Sequence, residues 1–266
     1  MSNQVNPHWH WQTWQEHLYL VCELLSGWQH GFFTQGFYPQ PPEKLTSILE
    51  PQSLAYRVKQ VHGNSVLTTQ DIATAMAKDP SNSLPDGDGV ISDRSKQSVW
   101  AASADCTPVL IGDVVTGRVS AIHAGWRGTA AKIVPEAIAK FLEFGSQKKD
   151  LRIAIGPAIS GKVYQVDESV AIKVGKTIIS NVDQKTDLEV LTELKQLSDP
   201  PILEDKMLGK VRLDVPKINQ IQLKQLDIND EHIAIARQCT YQNGNLFFSY
   251  RRSGEKKVQW SGIVSR

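Results

Sequence analysis

The sequence has few cysteines and no long apolar run. Its 266 residues include three cysteines, Cys22, Cys106 and Cys239, an odd and sparse set that argues against a disulfide framework and for a reducing compartment. No window reaches the roughly 18 apolar residues that a membrane span needs. The N-terminal segment MSNQVNPHWHWQTWQEH lacks the basic start and apolar stretch of a signal peptide. We therefore expect a cytoplasmic protein with no membrane partner.

An excess of charge of either sign is also missing. The chain has 29 Lys and Arg against 28 Asp and Glu, so its formal net charge is +1 and no global field favours nucleic acid. Hydrophobic residues make up 41% of the chain, which is enough for a core and too many for a disordered chain. We expect no nucleic-acid partner, and an anion site would have to be built locally.

Short apolar runs with strand character recur along the chain. Their Val and Ile content and their alternation favour β-strands. They lie at residues 55–63, 89–93, 98–103, 108–113, 118–125, 151–156 and 232–240.

Helical patterns alternate with these strands. Apolar spacing predicts helices over 128–144, ending at Gly145, and over 170–180, with Asp167 or Ser169 as the cap. A third helix is predicted to begin after Asp214, with Pro216 in its first turn, and to run to about residue 226.

Strands alternating with helices predict an α/β fold built in layers. We find no domain boundary, so we expect a single domain over residues 1–266. Within it, residues 1–29 should form a Trp-rich N-terminal arm, and residues 181–209 an insertion or irregular excursion.

Three side chains of metal-ligand type lie where predicted strands end. His62 follows a strand, Cys106 lies between two strands, and His123 lies where a strand enters a turn. Ligands of α/β sheets bind at such ends. Two imidazoles and one thiolate suit zinc and leave a fourth position open. The separations of 44 and 17 residues match no short metal motif, so spacing alone favours three unrelated core or turn residues.

The segment HAGWRG offers a local anion site. Two glycines flank Trp126 and Arg127 before a predicted helix, and free N–H groups together with an arginine can hold an anion. A tight turn with a solvated Arg127 is an equal alternative. Arg251 in SYRRSG is a weaker candidate for the same role. The segment DGDG (86–89) lacks the further carboxylates of a calcium loop, which favours a hydrogen-bonded turn over a hard-metal site.

Six motifs occur in an order specific to one protein family. They are QVHGNSV, DGDGVISD, ADCTPVLIGD, AIHAGWRGT, IGPAISGKVYQV and CTYQNGNLFFSYRRSG. Over about residues 30–255, nearly the whole chain, the sequence resembles the laccase-domain, or YfiH-type, family. That family is also called polyphenol oxidase, peptidoglycan editing factor and purine nucleoside phosphorylase.

The resemblance implies a fold, a metal site and an activity. The fold would be a single-domain layered α/β sandwich resembling the YfiH-like cysteine hydrolase fold. His62, Cys106 and His123 would hold zinc, with copper as an adventitious or alternative metal. Members of the family phosphorolyse adenosine, inosine, guanosine and methylthioadenosine, and deaminate adenosine. The expected partners are therefore a purine nucleoside and phosphate.

Two positions depart from the common family pattern. Gln35, in FFTQG, stands where many members have Arg, and we expect it near substrate or phosphate together with Arg127 and Arg251. The C-terminal segment QWSGIVSR lacks the usual Gly-Arg pair. If the missing arginines bind phosphate in the family, substrate preference or rate should differ here.

A multicopper cluster is not expected. A type 1 copper site with a trinuclear cluster needs roughly ten histidines. This chain has seven, four of them within the first 30 residues: His8, His10, His17, His30, His62, His123 and His232.

The residues leave several mechanisms open. In a metal-dependent deaminase, Asp105 beside Cys106 could shuttle the proton, or it could simply cap a turn. In a cysteine hydrolase acting on a cell-wall precursor, Cys106 would be the nucleophile and His123 or His62 the base. In a non-catalytic protein with a structural metal, Cys239 could supply a fourth ligand.

Overall fold

Residues 8–78 and 83–266 are described by a computed structural model, in which β-strands supply most of the framework. Residues 1–7 of the expected N-terminal arm lie outside the described residues. The strands are β1 (Trp9–Trp14), β2 (His17–Cys22), β3 (His30–Phe33), β4 (Leu54–Tyr56), β5 (Val66–Thr68), β6 (Gly89–Ile91), β7 (Gln97–Ser103), β8 (Thr107–Asp113), β9 (Val119–Ala124), β10 (Leu151–Ile155), β11 (Gln165–Asp167), β12 (Ile202–Glu204), β13 (Lys210–Leu213), β14 (Ile233–Ile235) and β15 (Gln259–Val264). The helices are α1 (Pro42–Leu49), α2 (Thr69–Lys78), α3 (Trp126–Ala130), α4 (Ile133–Glu143), α5 (Glu168–Gly175), α6 (Asp187–Gln196), α7 (Val215–Gln225) and α8 (Tyr250–Ser253).

The strands form two large mixed sheets and one small sheet. The first sheet has the order β1-β2-β3-β15-β7-β4, and the second has the order β14-β10-β8-β9-β6-β5. In the second sheet, β8 and β9 form a long antiparallel pair that continues into β10. The third sheet, β11-β13-β12, is antiparallel and three-stranded.

Successive side chains of a strand point to opposite faces of its sheet, so neighbouring residues of one strand pack in different layers. Leu110 of β8 lies in one buried cluster with Val99 of β7, so the two large sheets face each other. The neighbouring Val109 packs instead with side chains of α4 and α7, and Trp100 of β7 packs with α1. The layers are therefore helix, sheet, sheet and helix, which confirms the predicted layered α/β sandwich.

The helix predicted over 128–144 is two helices, because α3 ends at Ala130 and α4 begins at Ile133. Lys132 between them has a left-handed backbone, with φ 59°. Pro135 explains the break, since proline has no N–H and its ring clashes with the carbonyl four residues earlier unless it stands in a first turn. The predicted stop at Gly145 is confirmed, because that glycine has φ +85° after α4.

The other helix predictions hold in outline. Asp214 accepts a hydrogen bond from the Lys217 amide at 2.9 Å and caps α7, which ends at Gln225 close to the expected position. Asp167 is the N-cap residue of α5, although its side chain makes no capping bond. That helix begins two residues earlier and ends five residues earlier than predicted.

The prediction of an irregular excursion at 181–209 is wrong. Thr186 and Glu189 form a reciprocal capping box that starts α6. Ile202 of β12 is buried in a cluster that also contains Leu194 of α6 and Val174 of α5. The segment therefore carries part of a third core, built around the small sheet.

The strand predicted at 55–63 ends early, at Tyr56. Beyond it, the Gln60 side chain takes the place of backbone pairing: its amide donates to the Ala102 carbonyl at 2.9 Å and its oxygen accepts from the Ala102 N–H at 2.7 Å. His62 consequently lies in a turn and not at a strand end.

Residues within the expected N-terminal arm complete the first sheet. Strands β1 and β2 pair in register from Trp9↔Cys22 to Trp14↔His17, and β2 pairs with β3. Trp9 packs on Phe32 with ring centroids 5.3 Å apart, whereas Trp14 is exposed.

No helix of the described residues combines the length and apolar character required to cross a bilayer.

Candidate metal centre

The pairing of β8 with β9 brings Cys106 next to His123. Pro108 pairs with His123 and Thr107 with Ala124, so the residue before β8 lies against the end of β9. Strand β8 begins and strand β9 ends at this edge of the sheet, so the side chains of Cys106 and His123 lie close together there. His123 is buried and Cys106 is half-buried.

Asp88 fixes the third residue, His62, from a distance in sequence. Its carboxylate accepts hydrogen bonds from the amides of Val61 at 3.2 Å, His62 at 2.9 Å and Gly63 at 2.7 Å. His62 has φ 62°, and this left-handed backbone helps to turn three successive N–H groups toward one carboxylate. Asp88 thus holds the turn that presents the His62 imidazole.

The same carboxylate orients His123. Asp88 Oδ1 lies 2.9 Å from His123 Nδ1, and the backbone carbonyl of Asp88 accepts from the His123 amide at 2.7 Å. A carboxylate on Nδ1 leaves Nε2 free to bind a metal, which is the usual arrangement around metal-bound histidines.

His62, Cys106 and His123 converge. Each offers one ligand atom, and the three ligand atoms lie within 4.8 Å of one another. Among the described residues, this is the one group of three or more His, Cys, Asp or Glu side chains close enough to hold a metal ion. A Cβ on Gly125 would lie 2.9 Å from Cys106 Sγ and 3.4 Å from His62 Cδ2, so only glycine leaves the space free. Two imidazoles and one thiol fit a zinc-type ion with an open position.

The charges in the centre are coupled. Burial raises the pKa of the Cys106 thiol, but the imidazoles of His123 and His62 outweigh burial and lower it to about 6. Burial lowers the pKa of His123, but Asp88 and Cys106 outweigh it and raise that pKa to about 9. Burial likewise raises the pKa of Asp88, and its hydrogen bonds from His123 and the turn amides bring it below the usual range. The thiolate, which is the metal-binding form, is therefore favoured at neutral pH.

Two cavities meet at Cys106. The large cavity has a volume of about 330 Å³, and the small cavity has a volume of about 40 Å³. The large cavity is lined by Gln60, His62, Ala102, Ser103, Ala104, Cys106, His123, Tyr250, Glu255, Lys256, Lys257 and Val258. The small cavity is lined by Asp105, Cys106, Thr107, Ala124, Gly125, Trp126, Ile159, Tyr164 and Val215.

Both predicted anion-binding arginines stack on walls of the small cavity. The Arg127 guanidinium lies 4.4 Å from the centroid of Trp126, and the Arg251 guanidinium lies 4.8 Å from the centroid of Tyr164. Burial and the nearby Cys106 raise the pKa of Tyr164 to about 12, while Arg251 and Arg127 oppose that rise. Both arginines are exposed and pack on residues that line this cavity without lining it themselves, and Arg251 also donates to the Gln165 carbonyl at 2.8 Å.

The carboxylate of Asp105 is fully engaged in hydrogen bonds. It accepts from Thr240 Oγ1 at 2.6 Å, from Ser249 Oγ at 2.9 Å and from the Arg251 amide at 2.7 Å. Asp105 also has a left-handed backbone, with φ 88°. These contacts favour the turn-anchoring alternative over a proton shuttle, because they tie segment 240–251 to the residue that precedes Cys106.

Gln35 and Cys239 lie apart from the metal centre. The Gln35 side chain donates to the Gly244 carbonyl at 3.0 Å, and Gln35 is not among the residues that line either cavity, so its role near substrate or phosphate stays a prediction. Cys239 Sγ accepts from the Ser160 amide at 3.3 Å and is not part of the metal-binding group. The described residues thus give no support to Cys239 as a fourth ligand.

Sequence reasoning missed Asp88, Thr107, Tyr164 and Tyr250. Asp88 lies in DGDG, which the sequence indicated as a hydrogen-bonded turn; the bonds exist, but they reach a segment 25 residues away. Each of the other three residues is of an ordinary type within a motif quoted above, and only the fold brings it to a cavity.

Comparison with known proteins places this geometry in a family. The chain matches the profile described as multi-copper polyphenol oxidoreductase laccase over residues 43–265. It is 54% identical over 258 residues to a protein of Synechocystis sp. named purine nucleoside phosphorylase, with 97% of each chain covered. A purine nucleoside phosphorylase of Bacteroides thetaiotaomicron is 30% identical over 216 residues, covering 80% of this chain and 74% of that one.

Solved structures share the fold. YlmD from Geobacillus stearothermophilus matches with a TM-score of 0.79 and 25% sequence identity, covering 96% of this chain and 98% of that chain. A hypothetical protein YfiH from Bacillus licheniformis gives a TM-score of 0.78 at 25% identity, with 98% and 100% covered. The resemblance inferred from the six motifs is confirmed.

Proposed function

The chain belongs to the family described as multi-copper polyphenol oxidoreductase laccase, and from this membership we propose that it is a metal-dependent purine nucleoside phosphorylase. The convergence of His62, Cys106 and His123 at the junction of two cavities carries the proposal. The names of the relatives at 54% and 30% identity support it. The activity is that of a transferase, which moves a pentosyl group from a purine base to phosphate.

The large cavity suits the nucleoside. Its volume of about 330 Å³ is at the lower end of the range of ligand sites, which is about 300–1,000 Å³. Tyr250 lies on its wall with 56% of its surface exposed and offers an aromatic face for stacking a purine. Adenosine, inosine, guanosine and methylthioadenosine are the substrates that we propose.

The small cavity and its arginines suit phosphate. Arg127 and Arg251 would balance the charge of the dianion at the rim. In the reaction, a phosphate oxygen forms a bond to the ribose carbon as the bond from that carbon to the purine nitrogen breaks. The proton carried by hydrogen phosphate ends on the released base, so the products are adenine and ribose 1-phosphate.

Zinc is the metal that we propose for the three ligands, with copper as an alternative occupant. Bound there, it would supply Lewis-acid activation of water or of a substrate oxygen. Asp88 holds the two imidazoles that would bind it, and Asp105 positions the strand end that carries Cys106. A slower hydrolytic deamination of adenosine to inosine would use the same centre.

The test is to quantify adenine, inosine and ribose 1-phosphate by chromatography. Zinc-loaded protein should convert adenosine to adenine and ribose 1-phosphate only when phosphate is present, and should form inosine slowly without it. Cys106→Ala should abolish both activities and the binding of metal. The control is Cys22→Ala, the same substitution at a buried cysteine of β2, which should keep both activities and the bound metal. Protein that contains zinc but releases neither adenine nor inosine above the buffer blank would refute the proposal.

A cysteine hydrolase is the second candidate, because one observation favours it. Without a metal, the His123 imidazole, oriented by Asp88, would take the proton of the Cys106 thiol; the thiolate would then be the nucleophile, and the imidazolium would return the proton to the leaving group. Its proposed substrate is a cell-wall precursor. Activity on such a precursor that survives removal of metal and is lost on thiol alkylation would favour this hydrolase over the phosphorylase.

A further inference from the structure

Thr107 carries a buried hydroxyl without a partner beside the metal centre. It is the first residue of β8, directly follows Cys106, and is 1% exposed. Its Oγ1 makes no hydrogen bond within the described part of the chain. An unpaired buried hydroxyl destabilises a fold, and valine would fill nearly the same volume without that cost. Eleven buried polar side-chain atoms of the described residues lack a partner, and Thr107 Oγ1 is the one whose residue lines a cavity at Cys106, so a group bound there can supply its partner.

The small cavity gives the size of that group. Thr107 lines it together with Cys106 and Tyr164, and its volume is about 40 Å³. A cavity needs about 10–15 Å³ to hold one water-sized group, so this cavity has room for part of a small oxyanion and is too small for a nucleoside.

The charges around the cavity favour an anion. The guanidinium groups of Arg127 and Arg251 stack on Trp126 and Tyr164, two of the cavity walls. The carboxylate residue among the lining residues is Asp105, and its side chain already accepts three hydrogen bonds. A bound metal would offset the charge of the Cys106 thiolate, which also lines this cavity, and the two neighbouring guanidinium groups and the unpaired Thr107 hydroxyl would then favour an oxyanion over an apolar group.

We propose that the Thr107 hydroxyl donates a hydrogen bond to the phosphate co-substrate and thereby sets the affinity of the enzyme for phosphate. This inference rests on the proposed function and adds to it a phosphate-binding residue inside the small cavity. The nucleoside, bound in the large cavity, makes no contact with Thr107.

Steady-state kinetics of two variants test this role. Thr107→Val removes the hydroxyl and should raise KM for phosphate roughly ten- to a hundredfold, the range for loss of one hydrogen bond to a charged group. KM for adenosine should change less than about twofold, since substrate contacts in the other cavity are kept. Thr107→Ser keeps the hydroxyl and should stay near the wild-type KM for phosphate.

A matched control separates binding from structure. Thr46 is a buried threonine whose hydroxyl pairs with Ser98 and Trp100, outside both cavities. Thr46→Val should lower Tm and leave KM for phosphate unchanged. Thr107→Val should show the reverse, with a Tm equal to or above that of the wild type and weaker phosphate binding.

A measurement without turnover keeps the two proposals apart. Inorganic phosphate should raise the Tm of the wild type and of Thr107→Ser, and should leave the Tm of Thr107→Val unshifted. A protein with no phosphorolysis but with this Thr107-dependent shift would refute the proposed function and retain the phosphate site. The role of Thr107 would be overturned if Thr107→Val had the wild-type KM for phosphate and the wild-type rise in Tm with phosphate. It would also be overturned if phosphate did not raise the Tm of the wild type.

Discussion

The Asp88 carboxylate accepts hydrogen bonds from four donors, and the substitution Asp88→Asn replaces one of its two acceptor oxygens with an NH₂ group. Oδ1 accepts from the His62 amide and faces His123 Nδ1, while Oδ2 accepts from the amides of Val61 and Gly63. Asparagine has one acceptor oxygen, so in either orientation two donors face an NH₂ group. A fully buried donor left unpaired costs about 1–3 kcal/mol, but the three turn amides are only partly buried, so the variant should lose roughly 1–3 kcal/mol of unfolding free energy in total.

Metal binding should weaken in the same variant. Loss of the carboxylate partner of a metal-binding histidine typically reduces metal affinity by about 10–100-fold. Urea unfolding of the metal-free protein measures the stability, and competition with a chromophoric chelator measures the affinity.

The control for this variant is two residues away. Asp86 has a side chain that is 63% exposed and pairs with Lys59 at 3.1 Å. Exposed ion pairs contribute about 0–1 kcal/mol, so Asp86→Asn should leave stability and metal affinity almost unchanged. Equal behaviour of the two variants, or wild-type affinity in Asp88→Asn, would refute the reasoning that Asp88 holds both imidazoles.

Two further predictions follow from buried contacts. Gly125→Ala should lose metal while the protein stays folded, because its Cβ would meet Cys106 Sγ at 2.9 Å; metal analysis of the purified variant checks this, and full occupancy would contradict it. Burial lowers the pKa of His30 to about 4, so the unfolded chain takes up a proton between about pH 6.5 and pH 4 that the folded protein does not. The stability due to neutral His30 is therefore complete above about pH 6.5 and should fall by roughly 2 kcal/mol by pH 5. His30→Gln can still accept from Cys22 and donate to Trp28, and urea unfolding at pH 7 and pH 5 should show a flatter pH dependence; an unchanged slope would refute the assignment.

Local patterns in the sequence predicted a layered α/β fold and most of its central strands, because buried strands have a strong apolar signal, and the family resemblance added the sandwich arrangement. The same patterns failed where tertiary contacts decide the structure. Strand β4 ends at Tyr56, and beyond it the Gln60 side chain takes over the pairing with β7. The helix predicted over 128–144 is interrupted at Lys132, three residues before Pro135, which stands in the first turn of α4.

The metal centre shows the same limit. His62, Cys106 and His123 were grouped through family resemblance, since separations of 44 and 17 residues carry no local signal. Asp88 was missed because a carboxylate between glycines is typical of a turn, and its partners lie on another segment. Thr107 was invisible because what distinguishes it is the lack of a hydrogen-bond partner in the fold.

The position of β15 has a consequence for synthesis on the ribosome. This strand, Gln259–Val264, lies between β3 and β7 and pairs with both, although β3 and β7 are translated far earlier. Until β15 emerges, both earlier strands keep an unpaired edge that can pair with another nascent chain. The first sheet therefore closes only after β15 has been translated, and until then the apolar faces that it will bury stay exposed.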